Sequence, residues 1–205
     1  MIVRGNTEFW NCTCHRARDH AVYGMQIHEQ FKEVKEDKFH SIYEHDIGVI
    51  TVIEEFRGLY ETAKDYTESS KYWHYSLADF SLTCFGWGHR KSTGIVQQQL
   101  RDASIVRDSP ENCVRDHGKR VKNMPGVFCA KYYDNNNQFT SGPCPLDEGG
   151  PLLGIYDHSQ YILIGVIVNA QSCQGGTSLF TNITYYQNWI ADYVQGDTNP
   201  DSWYR

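Results

Sequence analysis

No apolar run in this chain approaches the roughly 20 residues that a membrane-spanning helix needs. There is no dense stripe of lysine and arginine, and a net charge of −6 argues against a nucleic-acid binder. No internal repeat, low-complexity tract or long linker occurs. Met1 is followed at once by IVRGNTEFW, which contains no apolar signal segment. What is present describes a globular protein. The 205 residues suffice for one large domain or two small lobes with enough core to fold unaided. Charged residues at 21% and aromatics at 14% fit a packed chain rather than a disordered one.

Seven cysteines are many for a cytosolic chain of this length, and their spread predicts disulfides and a secreted life. The sequons Asn11-Cys12-Thr13 and Asn182-Ile183-Thr184 permit glycosylation in that setting. A secreted chain that shows no signal carries the expectation that its start lies upstream, or that a processed segment is absent.

Short β-rich runs alternate with turns. DIGVITVI (Asp46 to Ile53), SLTCFGWG (Ser81 to Gly88), GVFCAKYY (Gly126 to Tyr133), GPLLGIY (Gly150 to Tyr156), YILIGVIVNA (Tyr161 to Ala170) and SLFTNI (Ser178 to Ile183) read as strands bounded by Gly, Pro, Asn and Asp. Such spacing predicts a barrel or sandwich. SPENCVRDH predicts a short helix, with Ser109 as N-cap and Pro110 at the first helical position. ITYYQNWIADYV places Ile183, Tyr186, Ile190 and Tyr193 at helical spacing. KEVKEDKF reads as a charged loop or a short solvated helix.

The order of these features resembles the trypsin- and chymotrypsin-like serine proteases. EHDIGVI is similar to the strand bearing the triad aspartate, FGWGHRKSTG to the S-G-W-G turn, and NCVRDHG with PGVFCA to the intermediate helix and its disulfide partner. CPLDEGGPLL resembles the nucleophile loop, usually C-x-G-D-S-G-G-P-L, and SLFTNITYYQNWIADYV the closing strand and C-terminal helix. The resemblance covers nearly the whole chain. It implies two antiparallel β-barrels, with the first incomplete, and a C-terminal helix. Residues 1 to about 75 would belong to the first barrel, and about 76–205 to the second barrel and the helix.

Chemistry of this type needs a serine nucleophile, a histidine base, a buried carboxylate and an oxyanion hole of backbone N–H groups. Matched residue by residue, Asp46 falls on the carboxylate, and its other reading is a strand-terminal acid that bonds nearby backbone. Glu148 falls on the serine, and Leu146 on the glycine that opens the oxyanion hole. That glycine's backbone shape suits a residue without a Cβ, which puts the hole itself in question. YGMQIHEQF resembles a later stretch whose histidine lies on the surface, so His28 is not expected to be the base. The T-A-A-H-C motif and the R-I-V-G-G activation site do not occur, and the expectation is a chain that starts inside the first barrel. Asp147 matches an aspartate that pairs with a freed N-terminus. Lacking that partner, it must find another donor, stay solvated or bind a proton. Half a barrel also leaves an open sheet edge, which invites pairing.

Gly142 matches the pocket base, where trypsins carry Asp. Val168, Asn169 and Ala170 replace the S-W-G wall, and Ala170 and Ser178 replace the two pocket glycines, so the pocket is expected to be narrowed. Two family disulfides are implied, Cys113 with Cys129 and Cys144 with Cys173. Cys84 is free or pairs elsewhere. Cys12, Cys14, His15 and His20 offer soft ligands, but their spacing is not that of a zinc knuckle. A disulfide or free-thiol loop is the expected reading, with no metal and no cofactor. HEQFK lacks the second histidine of a zinc-protease helix.

The expectation is a non-catalytic serine protease homologue: a secreted binding or regulatory protein whose partner is another extracellular protein, with neither nucleic acid nor membrane as partner. Two other functions stand beside it. One is a serine-type endopeptidase-like hydrolase whose histidine comes from an upstream segment. The other is a truncated product without selected function.

Overall fold

The computed structural model describes residues 1–12, 15–35, 41–58, 61, 82–89, 94–132, 142–156, 160–171, 173 and 175–194. Cys14, Ser141, the end of KEVKEDKF and the expected lobe boundary near residue 75 lie outside the described residues.

The first part of the chain supplies β1 (Ile2–Gly5), β2 (Arg18–Ile27), β3 (Lys32–Lys35), β4 (Ser41–Glu44) and β5 (Gly48–Val52). β1, β2 and β5 form a three-stranded antiparallel sheet in the order β1-β2-β5, and β3 pairs with β4 as a two-stranded ribbon. The expected loop or helix at KEVK is therefore corrected: it is strand β3. Lys32, Glu33 and Lys35 face solvent and Val34 alone is buried; pairing with β4 rather than an alternating pattern makes the segment a strand. The strand predicted from Asp46 starts at Gly48, and Asp46 itself lies in the turn before it.

The rest forms β6 (Leu82–Gly86), β7 (Arg101–Arg107), α1 (Pro110–His117), β8 (Val127–Tyr132), β9 (Pro151–Tyr156), β10 (Gln160–Asn169), β11 (Ser178–Asn182) and α2 (Ile183–Val194). The six strands β10-β11-β8-β7-β6-β9 close into a barrel, which leaves none of them with an open edge. Leu82, Ile105, Phe128, Leu152, Ile164 and Phe180 fill it, all buried. Each large side chain so buried contributes roughly 1.5–3 kcal/mol. The fold is all-β with a C-terminal helix.

Both predicted helices form for the reasons the sequence offers. At α1, the Ser109 side chain accepts the Asn112 N–H, and Pro110 sits in the first turn, where its missing N–H costs nothing. At α2, Asn182 Oδ1 accepts the Thr184 N–H at 3.0 Å. Ile183, Tyr186 and Ile190 are buried on one face. Gly126, with φ of 63°, lies under that face: a Cβ there would come within 2.5 Å of the Tyr186 ring. No side chain larger than hydrogen fits that left-handed position beneath the ring.

Candidate functional site

The loop from Gly142 to Gly150 leads into β9, and a disulfide anchors it. Cys144 is bonded to Cys173, with Cα atoms 5.3 Å apart, and Cys113 to Cys129 at 5.7 Å. These are the two pairs the resemblance implies. Cys12 is disulfide-bonded as well, and Cys84 is free and buried.

Asp147 finds its donors in the backbone. Its carboxylate accepts the Gly88 N–H at 2.7 Å and the Cys144 N–H at 2.9 Å. Gly86 at the end of β6 and Gly88 just beyond it make room for it. A Cβ on Gly86 would lie 1.8 Å from Asp147 Oδ1, and one on Gly88 would lie 2.6 Å from Asp147 Cγ. The Gly-Trp-Gly sequence is thus a cradle for an acid 59 residues further on. Burial nevertheless pushes the Asp147 carboxyl above its ordinary pKa, against the pull of its two N–H donors.

Glu148 is exposed, but its carboxylate is engaged. Oε2 accepts the Leu146 N–H at 2.8 Å, and Oε1 accepts the Ala170 N–H at 3.1 Å. One carboxylate thus spans the loop and the end of β10. A β-bulge at Val168, where β10 shifts register against β11 between Ile167 and Asn169, precedes Ala170. Such an irregularity re-aims the chain beyond it.

Leu146 keeps the backbone shape expected of glycine, with φ of 76°, and exposes 62% of its surface. A left-handed non-glycine residue costs roughly 1–2 kcal/mol. Leu146→Gly is therefore expected to stabilise the chain by about 1 kcal/mol, less than the full strain because glycine loses more entropy on folding. Urea titration of the two proteins measures it.

Gly142 lines a cavity of about 270 Å³ together with Asp147, Gly88, Cys84, Arg101 and Cys173, whereas Val168, Asn169, Ala170 and Ser178 do not line it. Ala170 and Ser178 are buried, and the Ser178 hydroxyl accepts the Gln171 N–H at 2.9 Å.

Asp46 is half-buried, and burial raises its carboxyl pKa. Its main-chain carbonyl accepts the Thr181 hydroxyl at 2.8 Å, tying the turn before β5 to the barrel. Among the described residues, no histidine hydrogen-bonds its carboxylate.

His28 is half-buried. Its ring stacks on His45 at 4.8 Å and packs against Trp189 at 5.0 Å and Tyr186 at 5.3 Å. The Tyr186 hydroxyl lies 3.0 Å from His45 Nδ1, and Glu29 accepts from Trp189 Nε1 and the Tyr193 hydroxyl. This cluster fastens the first sheet's loops to α2. Its histidines lie 17 positions apart in sequence, in stretches with no shared periodicity, so nothing in the sequence alone could have paired them.

Burial, with the neighbouring His28, holds the His45 pKa below its ordinary value. The folded chain keeps His45 neutral, while the unfolded chain takes up a proton near about pH 6.5. The stability this contributes is complete above that pH and is lost as pH falls through the folded-state pKa. His20, raised by its bond to Glu61, acts in the opposite direction: its contribution is present in acid and is lost as pH rises. The difference in melting temperature between wild type and His45→Gln isolates the first effect. It should shrink as pH is lowered from about 8 to about 5.

Of the soft-ligand set, Cys14 lies outside the described residues. Cys12 is oxidised, His15 is exposed, and His20 is buried with its ring on the Glu61 carboxylate at 3.0 Å and the Glu54 carbonyl at 3.2 Å. Among the described residues no group of three metal-ligating side chains occurs.

A closed antiparallel barrel, a C-terminal helix docked on it, and a disulfide-tied glycine loop seated on an aspartate define the all-β class of barrel proteins to which the resemblance pointed. The chain belongs to the trypsin family: the model described as Trypsin matches residues 12–190. Human transmembrane protease serine 11A is 32% identical over 110 residues, 52% of this chain and 25% of that protein. Bovine coagulation factor XI is 25% identical over 194 residues, 87% of this chain and 27% of that protein. Rat transmembrane protease serine 11G is 27% identical over 109 residues, 51% of this chain and 25% of that protein. The chain spans about a quarter of the length of these curated relatives.

Proposed function

We propose that this chain is a non-catalytic member of the trypsin family and acts by binding, outside the cell, to another protein. The observation that carries this reading is the Glu148 carboxylate held on the N–H groups of Leu146 and Ala170. Acyl transfer at this loop needs a nucleophile and free N–H donors for the developing oxyanion. Here the residue expected at the nucleophile position puts a negative charge on the donor itself. An oxyanion about 4 Å from that charge would be opposed by about 4 kcal/mol at an effective dielectric constant of about 20, close to a thousandfold in rate. The disulfides, the extracellular habit of the family and the persistence of the loop frame support a secreted binding protein.

A fluorophosphonate probe and fluorogenic peptides test the reading. The chain should take up no label and cleave nothing. Glu148→Ser alone should remain inactive, because Ala170 and Ser178 stand where the family has the two pocket glycines and no described histidine hydrogen-bonds the Asp46 carboxylate. Cleavage by wild type that Glu148→Ala abolishes would instead establish the hydrolase. Labelling of Glu148→Ser at the substituted position would show that a competent base is present.

A further inference from the structure

We propose that Asn182 is a site of N-linked glycosylation, with the oligosaccharide attached through its side-chain amide nitrogen. The inference rests on the secreted reading above but not on the state of Glu148. Its test supplies the secretion signal, so the site and the secreted reading can fail separately.

The sequon Asn182-Ile183-Thr184 spans the junction of β11 and α2. The sequence only permits the modification; the fold shows what it would disturb. Oδ1 of Asn182 accepts the Thr184 N–H at 3.0 Å and so caps the helix. A donor N–H must face the oxygen of the amide, which fixes the orientation of the side chain. Nδ2 is then left over. It donates to no group among the described residues, and it is not enclosed: the unpaired buried polar side-chain atoms there are Asp108 Oδ2 and Thr177 Oγ1. A sugar on Nδ2 displaces no hydrogen bond and leaves the Oδ1 cap in place.

The position along the strand agrees. Phe180, two residues earlier on the same side of β11, is fully buried inside the barrel. Asn182 is the last residue of the strand and is half-buried, so its side chain stands at the barrel's end. Gly165, directly opposite on β10, presents no side chain beside it. The backbone on either side is held. Asn182 N–H donates to the Gly126 carbonyl at 2.7 Å, and Ile183 is buried. The attachment point is thus fixed by strand, cap and core, and the amide nitrogen alone is uncommitted.

The co-reactant is a lipid-linked oligosaccharide pyrophosphate of the secretory pathway. A bond forms between Asn182 Nδ2 and C1 of the first N-acetylglucosamine, and the bond from that C1 to the pyrophosphate oxygen breaks. The lipid pyrophosphate leaves with the electron pair, one Nδ2 proton is released, and nothing is oxidised or reduced. Thr184 supplies the hydroxyl residue that the sequon requires. The other sequon serves as a control. Asn11 is exposed in a turn, and its Thr13 lies outside the described residues.

For the test, the full chain carrying Asn11→Gln is secreted from mammalian cells behind a cleavable heterologous signal. Peptide N-glycosidase should shift its mobility on a gel and leave an aspartate at position 182, read by mass spectrometry. Thr184→Ala and Asn182→Asp, each added to that chain, should abolish the shift. Asp caps a helix as well as Asn does, so Asn182→Asp removes the glycan while keeping α2 capped. Cell lysates are read as well, because transfer takes place as the chain enters the secretory pathway, and a retained variant still reports it. An unmodified Asn182 in the secreted protein overturns the proposal, and so does a shift that survives Thr184→Ala. Glycosylation at Asn182 here, with retention of the chain expressed from its own gene, would support the site and overturn the secreted reading.

Discussion

Tyr186→Ala is expected to lower the unfolding free energy by about 3–5 kcal/mol, the range for removing a large buried aromatic side chain. Tyr186 is 2% exposed and is the largest fully buried side chain described. Three structures converge on it. Gly126 is shaped to admit its ring, His28 and His45 pack edge-on against it, and its hydroxyl bonds His45 Nδ1 at 3.0 Å. The cavity left by truncation could not collapse, because the Gly126 turn and the barrel wall beneath are fixed by their own backbone bonds, including Asn182 N–H to the Gly126 carbonyl at 2.7 Å. Tyr186→Phe retains the ring and should cost about 1 kcal/mol, the worth of one hydrogen bond. Urea denaturation of the three proteins measures both differences. A loss below about 1 kcal/mol in the alanine variant would mean that α2 is not anchored to the barrel as described.

Replacing Cys144 and Cys173 together by alanine is expected to cost about 3–4 kcal/mol. The two cysteines are 29 residues apart, and the bond removes the freedom of that loop from the unfolded chain. The loss should be felt first in the segment from Gly142 to Gly150, because Asp147 takes one of its two N–H donors from Cys144 itself. Amide exchange at Gly88, Leu146 and Ala170, the donors to Asp147 and Glu148, should accelerate more than exchange in β8 or β11. Cys84 does not complicate the experiment. It is buried, and burial pushes its thiol pKa up to about 12, so it holds its proton and does not exchange with neighbouring disulfides. Uniform acceleration across the barrel would show that the disulfide supports the whole domain rather than the loop.

The sequence alone determined five of the six barrel strands, both helices, the Ser109 cap and, through the resemblance, the pairs Cys113–Cys129 and Cys144–Cys173, but it did not mark β7. Each depends on information that is local or carried in motif order. Short apolar runs bounded by turn residues write strands such as SLFTN, Ser-Pro opens α1, and the apolar spacing of Ile183, Tyr186 and Ile190 shows which face of α2 is buried. Local signals failed at KEVK, because a four-residue strand with a single buried valine has almost no pattern to read.

The tertiary structure alone decided the state of the loop Gly-Pro-Cys-Pro-Leu-Asp-Glu-Gly-Gly, residues 142–150. Sequence marked Leu146 and Glu148 as departures and left Asp147 without a partner. Only the fold brings Gly88 to Asp147 and Ala170 to Glu148, across 59 and 22 residues of chain. The same holds for His28 and His45, which stack because two turns of the first sheet meet on α2. Hydrogen bonds between distant residues depend on where the backbone returns, and the identity of neighbouring residues does not encode that.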